Sequence, residues 1–167
     1  MIDLLLNKFL NLLESEEDLC DLLLLTLQKE TMAVVDSDLE ALNGTNKEKE
    51  SLVLKIRILE EQRVQILSKV SEHIGCTHRD LTLDNLSELL DEPFSARLKG
   101  YNSRFSALMQ TVCEVNEGNK GLIMHSMDLV GDSLNLLENL ISPNPVYYRT
   151  GKFQNSDQGG MFLSDMI

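Results

Sequence analysis

From Phe94 to Leu140 the sequence keeps a strict alternation of four-residue and three-residue steps. The marked positions are Phe94, Leu98, Tyr101, Phe105, Leu108, Val112, Val115, Asn119, Leu122, Ser126, Leu129, Ser133, Leu136 and Leu140. Eleven of these 14 are apolar, and a mean step of 3.5 residues is the period of a coiled-coil seam. A helix of that length spans roughly 70 Å at 1.5 Å per residue. A small globule cannot bury it, so its partner is expected to be another long helix, the first or second of the chain folded back antiparallel.

The rest of the chain agrees with an all-helical reading. Residues 2–35 form one amphipathic pattern, with Ile2, Leu5, Phe9, Leu12, Leu19, Leu23 and Ala33 on one face and Glu16, Thr26 and Glu30 interrupting it. Asp36-Ser37-Asp38 and Asn43-Gly44-Thr45 read as breaks or caps, with Leu39–Leu42 a turn of helix between them. A second helix is predicted from about Asn46 to Ile74, closed by Gly75. Residues 76–92 hold a loop and a short helix, with Asp84 or Thr82 as N-cap and Leu86, Leu89 and Leu90 as the buried face. Ser142-Pro143-Asn144-Pro145 stops the last helix after Ile141. Trp is absent and the chain has only 9 Gly and 3 Pro in 167 residues, which disfavours a sandwich or barrel. The expected fold is all-α, an elongated antiparallel helical hairpin or bundle with coiled-coil packing over residues 1–141. A flexible tail over 142–167 follows, with the apolar end Met161-Phe162-Leu163.

Charge narrows the partners. The formal net charge is −12, which disfavours nucleic acid and anionic membrane, since both reward a basic surface. The excess is uneven: residues 1–43 carry 10 acidic and 2 basic side chains, whereas 93–167 carry 7 and 6. The longest apolar run, Leu22 to Leu25, is too short to span a bilayer. The opening residues lack the basic and apolar regions of a signal peptide. Three scattered cysteines, Cys20, Cys76 and Cys113, imply no disulfide framework and fit a reducing cytoplasm.

Chemistry-bearing clusters are thin. His73, Cys76 and His78 have ligand-like spacing, but a closed zinc site needs four ligands, so they read as helix-end residues and no metal is expected. His125 reads as a packing histidine, and Gly118-Asn119-Lys120-Gly121 lacks the spacing of a phosphate loop. No nucleophile, base and orienting group fall together, so no enzyme and no cofactor are expected. Lys49, Glu60 and Arg63 share one line of the second helix. They form either a solvated face or interhelical pairs with the acidic first helix that would set register. Asn116 and Asn119 lie at i, i+3, as a register device or as amides that hydrogen-bond a partner. After Asn119 every second seam position is polar or small (Ser126, Ser133), and Met124 and Met127 stand nearby, which suits a groove that repacks around a partner helix.

These residues resemble the FlgN family of flagellar type III export chaperones. Lys49, Glu60 and Arg63 are similar to the family's second-helix pattern, Asn116-x-x-Asn119 to its paired asparagines, and Tyr147-Tyr148, Gly151 and Gly159-Gly160 to its ending. The resemblance implies a cytoplasmic, non-enzymatic chaperone. Its clients would be the hook–filament junction proteins FlgK and FlgL, bound through their C-terminal helices and kept from early assembly. It implies client contact at Asn116, Asn119 and Met127, and docking of the export gate protein FlhA by Tyr147 or Tyr148. Leu122, Ile123 and Ser126 complete the expected client surface. The competing expectation, from the seam alone, is a structural coiled-coil protein that oligomerises or scaffolds.

Overall fold

The structure is a computed structural model that describes residues 2–75 and 82–141. Four helices follow one another: α1 (Ile2–Val35), α2 (Leu39–Ile74), α3 (Leu83–Leu89) and α4 (Phe94–Ile141). The chain divides into two compact units after Met124. Residues 76–81 and the tail from 142 lie outside the described residues, and with them Cys76, His78, Tyr147 and Tyr148.

In the first unit α1 and α2 pack antiparallel. Glu16 of α1 meets Arg63 of α2, and Glu30 meets Lys49, so position falls on one helix as it rises on the other. The turn between them is set locally. Ser37 takes a positive φ of 56°, and the Asp38 carboxylate accepts the Ala41 N–H at 2.9 Å as the N-cap of α2. Asn43-Gly44-Thr45 does not break the helix. The cap at Asp38 has already started α2, Thr45 is buried with its hydroxyl donating to the Leu42 carbonyl, and a glycine inside a helix costs only about 1 kcal/mol relative to Ala. At the far end Gly75, at φ 76°, closes α2 as the sequence predicts, its N–H bonded to the Ser71 carbonyl.

α4 runs parallel to α1 and therefore antiparallel to α2. Arg97 pairs with Glu14, Arg104 with Glu17, and Asn119 with Thr31. The expected antiparallel partner is thus α2, while α1 lies alongside in the same direction. The reason is where the helices end and restart: α2 finishes beside the first half of α1, and α4 starts there too, with Arg97 paired to Glu14. The core lies there, built from Leu6, Phe9, Leu10 and Leu13 of α1, Leu67 and Val70 of α2, Leu86 of α3, and Leu98 and Tyr101 of α4. Thr82 caps α3 by accepting the Asn85 N–H. Leu83, Leu86 and Leu90 face this core, whereas Leu89, expected with them, is 54% exposed. So short a helix buries one line of side chains, and the 83–86–90 spacing takes it.

Of the stripe expected on α1, Phe9 and Ala33 are buried and Ile2, Leu5, Leu12, Leu19 and Leu23 half-buried, while the buried line runs through Leu6, Leu10, Leu13, Cys20 and Leu27 together with the polar interruptions. Glu16, Thr26 and Glu30 are each at most 5% exposed, so the three interruptions are polar contacts inside the bundle. Continuing the 88-residue offset of the Thr31–Asn119 bond, the end of α1 at Val35 falls level with Ile123. Of the second unit, residues 125–141 are described. All are helical, and every side chain there is exposed. No helix among the described residues is long and apolar enough to cross a membrane.

Candidate binding surface on the long helix

Two buried carboxylates organise the first unit, and each solves its burial differently. Glu30 is 1% exposed and both its oxygens are used. Lys49 donates to Oε1, and the Asn119 amide donates to Oε2 at 2.9 Å. The same Asn119 nitrogen donates to the Leu27 carbonyl at 2.8 Å, and its carbonyl oxygen accepts from the Thr31 hydroxyl. Every polar atom of a buried amide and a buried carboxylate is therefore matched across three helices, which is the condition under which such groups do not cost stability.

Glu16 is less well served. Arg63 Nε lies 3.2 Å from Glu16 Oε2, yet that N–H points off the line of a hydrogen bond and is left without an acceptor. Burial pushes the Glu16 carboxyl above its ordinary value, the Arg63 charge pulls it down, and Glu60, itself 3.7 Å from Arg63, pushes it up again. Tyr101 sits against this group with its hydroxyl buried and unpartnered, and burial pushes that phenol up strongly. Its ring stacks on Phe105 at 5.2 Å between centroids. Burial also lifts the Cys20 thiol to about 11, which keeps it protonated and unreactive at neutral pH. Lys49 and Arg63 thus make the interhelical pairs that set register between α1 and α2. A shallow cleft of about 260 Å³ opens between α1 and α4, but its arginines, Arg97 and Arg104, are already paired with Glu14 and Glu17.

The residues expected to touch a partner are distributed unevenly. Asn119 is buried at 2% exposure with its amide turned to α1, while Asn116 is exposed. Leu122 is 39% exposed and Ile123 half-buried in the first unit. Ser126 and Met127 are exposed in the second, Met127 at 69%. Leu129 and Leu136, which the sequence places in the expected groove, are exposed, and so are Leu134, Leu137, Leu140 and Ile141, which it does not assign to partner contact. The signal for this longer run is the apolar period itself, continued past Met127. His73 is exposed, with Nδ1 2.9 Å from the Lys69 carbonyl, and no metal-binding group of three occurs among the described residues.

A family model described as FlgN protein matches residues 1–155. The chain belongs to the FlgN family. That family consists of flagellar type III export chaperones and is not enzymatic. No curated protein and no solved structure matches the chain. In this FlgN-family chain α1, α2 and Asn119 of α4 supply the buried polar register, and the end of α4 carries a continuous run of exposed apolar side chains.

Proposed function

We propose that this FlgN-family protein is a cytoplasmic chaperone for the hook–filament junction proteins FlgK and FlgL. It binds their C-terminal helices and hands them to the export gate protein FlhA. The observation that supports this reading is the exposed apolar run on α4, which offers an amphipathic client helix the surface it would otherwise use for assembly. Asn116, Leu122, Ile123, Ser126 and Met127 are the residues assigned to client contact. Asn119 serves the same surface from beneath, by holding α4 against α1. Tyr147 or Tyr148, on the tail, contacts the gate. The acidic first helix keeps the loaded complex soluble, and no nucleotide is required.

Calorimetric titration of the full chain with the C-terminal segments of FlgK and FlgL tests this. Met127→Asp is expected to weaken binding by more than about tenfold, as loss of an interface anchor does, with helicity retained. Removing residues 142–167 should leave client affinity intact and abolish capture of FlhA. Undiminished client binding by Met127→Asp overturns the assignment of the surface. A constitutive oligomer with no affinity for either client would point instead to a structural coiled coil.

A further inference from the structure

We infer that the 125–141 stretch of α4 is built to receive two helices side by side, so that the partner it fits is a helical hairpin, or paired helices, with basic residues beside the apolar face. The inference deepens the client reading above and rests on it for the identity of the partner, though not for the shape of the surface.

The apolar residues fall on one half of the helix and Asp128, Asp132, Asn135, Glu138 and Asn139 on the other. The apolar half is not one stripe. At about 100° per residue, Leu129, Leu136 and Leu140 form one line, and Val130, Leu137 and Ile141 form a second roughly 100° round from it. Ser126 and Ser133 run along the boundary between them, and the Ser133 hydroxyl turns back to its own Leu129 carbonyl. A helix meeting a single partner needs only the narrow seam, and a second apolar line is needed when it meets two.

The first unit shows the same device already occupied. On α1, Glu16 meets α2 through Arg63 and the next residue, Glu17, meets α4 through Arg104. Fourteen residues on, Glu30 meets Lys49 of α2 and the next residue, Thr31, meets Asn119 of α4. Neighbouring residues thus face different helices. The pairs Leu129/Val130, Leu136/Leu137 and Leu140/Ile141 repeat that arrangement, every member at least 51% exposed.

Charge selects the occupant. Residues 121–141 hold Asp128, Asp132 and Glu138 and no Lys or Arg, and no basic residue offsets the negative end of the helix dipole in the last turn. A second copy of the chain would set these carboxylates against themselves. A partner with Lys or Arg flanking its apolar face pairs with them.

The test uses the full chain, its Leu136→Asp and Leu137→Asp variants, and two probes. One probe is a designed hairpin of two Leu/Lys/Ala helices, together with its single helix and its Lys→Glu counterpart. The other is the FlgK C-terminal segment. The two variants carry the same charge on adjacent residues, one on each line, and circular dichroism checks that both stay helical. The hairpin should bind more than about tenfold tighter than its single helix or its acidic counterpart, and each variant should lose about tenfold or more. Either probe losing affinity to one variant alone overturns the inference, as does a hairpin that binds no tighter than its single helix. A dimer of the free chain that Leu136→Asp dissociates, seen by light scattering, overturns it as well. Hairpin binding that needs both lines, with no FlgK binding, supports the two-helix surface and refutes FlgK as client. FlgK binding that needs one line only refutes the two-helix surface and leaves the client.

Discussion

One helix, one heptad period and two outcomes distinguish residues 94–124 of α4 from residues 125–141. In the earlier stretch the seam members Leu98, Tyr101, Val112 and Asn119 are buried, whereas in the later one Leu129, Leu136 and Leu140 are 54–73% exposed. Composition separates them only in part: leucine occupies the seam in both, while Ser126 and Ser133 alternate with it in the later stretch. A period chooses which face of a helix is apolar, and the length of its neighbours decides whether that face is covered. With α1 ending level with Ile123, the first stretch is a structural seam, and the second keeps the period with its apolar side chains exposed.

The largest test of that contrast is a pair of truncations on the same seam. Leu98→Ala removes a side chain that is 1% exposed and should cost about 2–5 kcal/mol by urea unfolding, because the bundle cannot fully collapse onto the gap. Leu136→Ala, at 62% exposure, should change stability by no more than about 0.5 kcal/mol. Comparable losses at the two positions would show that the later stretch is covered in solution and that the contrast is false.

The polar register gives the next two effects. Glu30→Ala strands the Lys49 ammonium and frees the Asn119 amide, so a loss of about 3 kcal/mol is expected, the cost of leaving a buried partner uncompensated. Asn119→Ala leaves Glu30 its lysine and removes two donated bonds, for about 1–3 kcal/mol. A double-mutant cycle should find the two losses strongly non-additive, since they act on one network. Additive losses would mean that Glu30 and Asn119 do not share it.

The sequence made the helices legible and their company much less so. The bounds of α1 and α4 followed from the apolar period and from Asp36-Ser37-Asp38 and Ser142-Pro143, because those signals are local. Gly44 misled because a local breaker was outweighed by packing and by the cap already placed at Asp38. Glu16 and Glu30 read as gaps in a stripe because their partners stand on other helices, Asn119 being 89 residues from Glu30, while Thr26 is buried with its hydroxyl turned back to the Leu22 carbonyl of its own helix. The same distance left Asn119 open between a register device and a partner-binding amide, and burial of its side chain against α1 required the fold. The exposed run beyond Met127 was visible as apolar periodicity. That it is exposed depends on where α1 stops.

The smallest effect concerns the less satisfied carboxylate and sharpens the comparison from inside the bundle. Glu16→Gln keeps the shape, leaves Arg63 within reach of Glu60, and removes a charge that burial holds at a disadvantage, so at pH 7 it should change stability by less than about 1 kcal/mol. Its signature is in the pH dependence. A carboxyl whose folded value is raised contributes stability that is complete below its unfolded value, near 4.5, and is lost as pH rises through the folded value. Between pH 7 and about 4.5 the native protein should therefore gain stability relative to Glu16→Gln as the solution is acidified. A gap that moves the other way would show that the Arg63 charge outweighs the burial of Glu16, and the poorer hydrogen bonding of this carboxylate would then not set its titration.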